Sequence, residues 1–302
     1  MKPDKPSSTA RLIARSLVFV ARDARLGKLV PPRATEASEW FVRATSARAH
    51  QLLWLIDRRW FRALVALLES LTIPGILLHY IVRKRFLEDI ARQALASGTR
   101  QVVVLGAGFD TLALRLHSEF ASVTFIEIDH PATQKIKSQV LQGRGSLNSN
   151  LHLLPLDLAG DSLADGLLPC PFYQSDARTL FVAEGLLMYL EAGRVDQLFH
   201  FVAQHSGKGS RFAFSFLEPQ RNGKINFRRG SRVIDWWLNW RDEGFRWGIK
   251  RPELESFLAA RGLVLQETAG TQVLRGRYLQ DQSMARARLA QGEYLGVAVS
   301  KQ

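Results

Sequence analysis

Between residues 100 and 217 short solid apolar runs alternate with longer runs of helical spacing. Gln101 to Leu105 (QVVVL) is β-branched and apolar on both sides, the pattern of a strand buried within a sheet. It runs into Gly106-Ala107-Gly108 and then into helical spacing from Asp110. A second strand is predicted over 123–128, followed by Asp129, and a short third within 151–158, with Asp157 at its end. A fourth covers 179–183 before Glu184-Gly185, and a fifth starts at 210, with Phe212, Phe214 and Phe216 on one side. Helical patterns at 130–142 and 191–205 separate them. Such alternation predicts a mostly parallel α/β sheet with helices on both faces.

The flanks read differently. Residues 1–8, mostly Pro, Lys and Ser, are expected to be disordered. Helical spacing over 10–29 stops at Pro31-Pro32, and 36–71 is a long helical territory containing Trp40, Trp54 and Trp60. Pro74-Gly75 resets the chain before a helix over 76–96 that ends at Ser97-Gly98. Residues 1–75 therefore read as a helical extension of a domain spanning 76–302. Within that domain, 220–249 breaks the rhythm with Arg221, Lys224, Arg228, Arg229 and Arg232, then Trp236, Trp237, Trp240 and Trp247, and reads as a substrate cap. A helix from Pro252, a sixth strand at Val264-Leu265, a polar and helix-compatible 278–294 and a last strand over 295–300 follow. That last strand is expected to return antiparallel to the sheet edge.

Glycines at a strand end, a helix, and an acid about 20 residues further on (Glu127 or Asp129) form the pattern of a nucleoside-binding βαβ unit. A dinucleotide fingerprint needs a third glycine at 111, where Thr111 stands. Without that close helix–strand approach under a pyrophosphate, a phosphate-free ligand is favoured, S-adenosylmethionine being the obvious one.

Composition narrows the class. The chain has 302 residues and a single cysteine, Cys170, so an intrachain disulfide and a cysteine-rich zinc site are excluded and a cytoplasmic setting is the natural expectation. The net charge of +13 is uneven: residues 1–62 hold 13 Lys or Arg against 5 Asp or Glu, and residues 221–251 hold 9 against 3. Such a surface suits an anionic substrate, with peripheral membrane contact a minor alternative and no nucleic-acid module in evidence. Apolar runs fall short of the ~20 residues a spanning helix needs. The arginine-rich opening reads as a frayed or surface-laid amphipathic element. The seven histidines form no ligand set, so no metal is assigned; a G-x-S-x-G elbow is also missing.

Four segments together resemble a known family. Tyr80-IVRKRFLEDI, Gln101-VVVLGAGFDT, Phe125-IEIDHP with Lys137 downstream, and Ala183-EGLLMYL are similar, in order and spacing, to S-adenosylmethionine-dependent methyltransferases of the leucine carboxyl methyltransferase type. This includes the bacterial branch resembling the tetracenomycin O-methyltransferase. The resemblance implies a class I methyltransferase fold with a seven-stranded, Rossmann-like sheet. It implies that Arg83 binds the cofactor's carboxylate, that Gly106, Ala107 and Gly108 form its floor, and that Asp129, with Glu127 as competitor, takes the ribose. Asp157 and Leu158 would meet the adenine and Glu184 the amino group. The chain departs from the family at Lys84, Leu112 and Glu88, where Thr, Arg and Asp are usual.

The implied reaction is O-methylation of a carboxylate or phenolic hydroxyl on a small, anionic or aromatic molecule. A protein C-terminal carboxyl group, or a non-catalytic regulatory role with the same cofactor, are the alternatives. A carboxylate acceptor needs a cation (Arg221, Arg228 and Arg229 are the candidates), whereas a phenol needs a base. Tyr189 is a further candidate for orienting substrate.

Overall fold

A computed structural model describes residues 7–231, 244–281, 284 and 286–301. The expectation of disorder over 1–8 lies outside the described residues for 1–6 and does not hold at its end, where Ser7 caps a helix that begins at Ser8. That for Arg232, Trp236, Trp237 and Trp240 of the cap also lies outside the described residues. Seven strands form one sheet: β1 (Gln101–Leu105), β2 (Thr124–Asp129), β3 (Leu151–Pro155), β4 (Thr179–Ala183), β5 (Arg211–Leu217), β6 (Leu263–Ala269) and β7 (Glu293–Ser300). Their spatial order is β3-β2-β1-β4-β5-β7-β6. The first five are parallel, and β7 runs antiparallel to both its neighbours. The last strand thus lies inside the sheet, with β6 at the edge, rather than at the edge itself. It also begins at Glu293, and the polar stretch before it is helical only as far as Tyr278.

The helices are α1 (Ser8–Ala21), α2 (Ala34–Thr45), α3 (Ala49–Ile56), α4 (Arg59–Thr72), α5 (Ile76–Ala96), α6 (Leu112–Leu116), α7 (Pro131–Gly143), α8 (Leu163–Leu167), α9 (Ala192–Gln204), α10 (Arg251–Ala259) and α11 (Thr271–Tyr278). α1 is shorter than its apolar spacing implies, because Asp23 Oδ1 accepts from the amides of Arg25 and Leu26 and turns the chain. The helical territory of 36–71 is three helices, broken at Ser46 and at Asp57-Arg58. Arg22 of the α1 end holds the second break, donating to Leu53 O and Asp57 Oδ2.

Side chains alternate across the strands, so each strand feeds two cores. Val102, Val104, Leu180 and Val182 join Val18, Phe41, Leu53, Val82 and Phe86 on one face. Val103, Leu105, Ile126 and Phe181 join Phe199, Phe212, Leu254 and Leu258 on the other. α1, α2 and α3 share the first core with the sheet, and α1 and α2 also close a smaller cluster of their own with Ile81 of α5. α1 in particular buries Leu17, Val18 and Val20, so the opening helix is packed rather than laid on the surface.

Candidate active site

The strand order reverses beside β1, which has β2 on one side and β4 on the other. Helices leave such a point in opposite directions, and the carboxyl ends of the strands open onto a crevice. A cavity of about 210 Å³ lies there, walled by the turns that follow β1, β2, β3 and β4. Gly106 (φ 65°) and Gly185 (φ 60°) occupy the left-handed region that side chains disfavour. A Cβ on Gly106 would stand 2.8 Å from Leu186 Cδ1, so the floor of the cavity requires glycine there. Ala107 and Gly108 continue that floor, and Ala10 and Ile13 of α1 cover it.

Glu184, one residue beyond β4, is the polar centre of the crevice. Arg83 Nε donates to its Oε1 at 3.0 Å, and Lys84 Nζ stands 3.2 Å from the same carboxylate and 2.6 Å from Asp110 Oδ1. Arg83 also donates through Nη1 to both oxygens of Glu293, at 2.8 and 3.0 Å, and His79 Nε2 meets Glu293 Oε2 at 2.8 Å. His79 and Arg83 lie four apart on α5 and so point the same way. Glu293 reaches them because β7 is antiparallel: its first residue pairs with Leu217, at the carboxyl end of β5.

Burial alone would push these groups toward neutrality. Burial opposes charge on Glu293, but Arg83 and His79 more than offset it and hold the carboxyl at about 2. Asp110 is likewise buried yet held low by Lys84, and the Lys84 ammonium is raised by Asp110 and Glu184 against the same penalty. Among the residues that line the cavity, Asp110, Asp157 and Glu184 outnumber Lys84 and Arg246. Asp129 adds another acid across the crevice, although burial raises its pKa against the pull of the Gly108 amide. The site suits a cationic ligand.

The structure brings most of the sequence-derived residues to this cavity and separates the others. Gly106, Ala107, Gly108, Asp129, Asp157, Leu158 and Glu184 all line it. Asp129 Oδ2 accepts from Gly108 N at 2.7 Å. Glu127, the competitor for the ribose, is fully buried in the sheet, 2.6 Å from Lys137 Nζ, and does not reach the cavity. Arg83 is 2 % exposed and sits behind Glu184; the cation beside Glu184 on the cavity wall is Lys84. Leu112 is buried among apolar side chains.

A second cavity, of about 270 Å³, adjoins the first and shares Thr9, Ile13, Gly185 and Tyr189 with it. Its lining is largely apolar, including Leu12, Ile76, Met188, Phe227 and Phe245, with Arg83 at one wall. Tyr189 stands at the junction, its ring 5.4 Å from that of Phe245. Arg221, Arg228 and Arg229 border neither cavity; Arg228 donates to Glu218 Oε2 at 2.7 Å. The cap arginine at the first cavity is instead Arg246, next to Phe245, which donates to Glu191 Oε1. Trp247 packs in the core beneath. Lys84, Arg246, Glu293, His79 and the α1 residues were not legible as site residues: only the Lys84 departure marked one of them in advance.

Fold and site together define a class I methyltransferase architecture. The crystal structure of a Thermobifida fusca protein provisionally assigned as a methyltransferase superposes with a TM-score of 0.57 over 88% of this chain and 94% of that one, at 17% identity, a likeness of fold. The chain matches the leucine carboxyl methyltransferase family model over residues 34–203 and belongs to that family. A Frankia alni protein provisionally assigned as an S-adenosyl-L-methionine-dependent methyltransferase is 32% identical over 190 residues, 63% of this chain and 54% of that one. A Mycobacterium avium protein of the same provisional description is 35% identical over 153 residues, 50% of this chain and 47% of its own. The chain spans about half the length of the curated relatives it matches.

Proposed function

We propose that this protein binds S-adenosylmethionine in the first cavity and methylates an oxygen of a small, largely apolar acceptor held in the second. The observation that carries the reading is Glu184: a carboxylate at the carboxyl end of β4, fixed by Arg83 and Lys84, beside a glycine floor and opposite Asp129. Those residues fit the cofactor. Gly106, in the left-handed region, turns the chain at the cavity floor, Asp129 presents an acid where a ribose would lie, and the excess of carboxylates in the lining matches a sulfonium. Glu184 would hold the ammonium group and Lys84 the carboxylate beside it, while Arg83 orients Glu184 from behind. Leu156 and Leu158 with Asp157 would flank the adenine.

When bound, S-adenosylmethionine supplies a methyl group on a sulfonium, and an acceptor oxygen takes it by in-line displacement as the carbon–sulfur bond breaks and its electron pair stays on sulfur. The chain's own work is alignment and exclusion of water. Among the described residues common to both cavities, Tyr189 is the only titratable one, which leaves no strong base at the junction. A carboxylate acceptor needs none, so a carboxylic acid with an apolar body is favoured over a phenol; Arg246, which pairs with Glu191, is the cap cation at the first cavity. The resemblance to the tetracenomycin O-methyltransferase branch supports a small-molecule acceptor, and the Phe227 and Phe245 contacts support 220–249 as a cap.

Calorimetry with S-adenosylhomocysteine tests the cofactor half. We expect saturable binding by the wild type and a loss of roughly a hundredfold in Glu184→Ala, since a charge-assisted contact is about 1.5–3 kcal/mol. A wild type that gives no heat sinks the assignment. Methyl-ester formation, read by mass spectrometry across apolar carboxylic acids and matched phenols, then ranks the acceptors.

A further inference from the structure

α4 carries its apolar residues on the side away from the protein. None of its 14 residues is buried, and Trp60, Leu64, Leu67, Leu68 and Leu71 are 43 to 65 % exposed, as is Trp54 of α3 at 55 %. Their spacing puts the α4 residues on one outward face. The inward stripe is Phe61, Val65, Glu69 and Thr72, of which the last three wall the second cavity. At the amino end of the helix stand Arg58 and Arg59, which pair with no carboxylate among the described residues; Arg58 lies 3.9 Å over the Trp54 ring. The one acid of α4, Glu69, is turned inward and accepts from the Leu77 amide at 2.9 Å.

We infer that this α3–α4 face docks on an anionic membrane surface, with α4 lying in the plane of the headgroups. Leucines on one side, tryptophans at the level of the headgroups and unpaired arginines beside them are the chemistry that such a surface takes. A second copy of this chain would bring the same excess of cations, since the exposed carboxylate at the α3–α4 break, Asp57, is already paired with Arg22. No single helix among the described residues is long and apolar enough to cross a membrane; α4 and α5 are apolar enough only as a pair, bent by 85°, and α5 is largely buried in the protein, an arrangement that suits α4 lying on a bilayer. The inference deepens the proposed function: Val65 and Leu68 make α4 the shared wall between bilayer and second cavity, so the acceptor is an amphiphile drawn from the lipid phase.

The test is cosedimentation of the full chain with phosphatidylcholine vesicles, with and without phosphatidylglycerol, at low and high salt. Binding is expected to anionic vesicles and to weaken as salt rises. Leu67→Glu with Leu71→Glu, which touch neither cavity, should weaken it on the order of tenfold per residue. Arg58→Glu with Arg59→Glu should weaken it roughly fivefold per residue and flatten the salt dependence. Both variants should keep wild-type affinity for S-adenosylhomocysteine, which separates failed docking from a failed cofactor site. The inference is overturned if the wild type stays in the supernatant with every vesicle, if the leucine variant sediments like wild type, or if gel filtration shows a wild-type dimer that the leucine variant dissolves.

Discussion

The two cavities share Gly185 and Tyr189 yet are made of opposite material. The first is walled by strand-end turns, each supplying one or two polar groups, and a network of ion pairs stands behind it. The second is walled by helices and the cap, whose side chains are mostly apolar. The difference separates two tasks. A ligand with fixed charges is met by side chains locked on a rigid sheet, whereas an apolar acceptor is met by surfaces that a family can vary without touching the sheet. Substitutions on one side should therefore leave the other unmoved.

The largest effect is expected behind the charged wall. Glu293→Ala removes the carboxylate that binds both Arg83 and His79 and leaves a buried guanidinium short of a partner, a loss of about 3–5 kcal/mol. Thermal melting should read it directly. The pH sign follows from the depressed carboxyl. Glu293 is held at about 2 against an ordinary 4.5, so its contribution is complete above the ordinary value and fades as pH falls toward 2. Glu293→Gln should flatten that acid limb of the melting curve. A slope identical to wild type would mean that Arg83 does not depend on this carboxylate.

A smaller and more selective effect is expected on the apolar side. Phe245→Ala opens the second cavity at the cap while leaving every ion pair of the first intact. Losing one aromatic wall should raise the acceptor KM roughly tenfold. S-adenosylhomocysteine affinity should stay within about twofold of wild type. Equal losses in both would show that the cavities act as one, and the separation drawn above would be wrong.

The same division explains what the sequence disclosed. Strand β1, the Gly106 turn, Asp129 and Glu184 are local patterns: a buried run, its turn, and the acid beyond a neighbouring strand. They were legible because parallel βα units repeat the same geometry four times. The resemblance assigned Arg83 to the cofactor's carboxylate, but its place behind Glu184, and not on the wall of the first cavity, depends on packing. Glu293 and His79 lie more than 200 residues apart and meet only through the antiparallel register of β7, so neither carried a local signal. The second break within 36–71 was hidden because Arg22, distant in sequence, supplies the contacts that hold it.

The smallest effect is expected at the junction itself, and it discriminates most sharply between acceptor classes. Tyr189→Phe keeps the ring that packs near Phe245 and removes only the hydroxyl. If the acceptor is a carboxylate, already ionised and nucleophilic at neutral pH, no proton has to leave in the reaction. The hydroxyl then does little beyond orienting, and kcat should change less than about threefold. If the acceptor is a phenol, the hydroxyl is the one titratable group at hand to relay its proton. In that case kcat should fall by about a hundredfold or more, with a changed pH profile. Steady-state kinetics of this variant across pH 6 to 9 thus decides whether the apolar wall confronts a ready-made anion or one that the protein must generate.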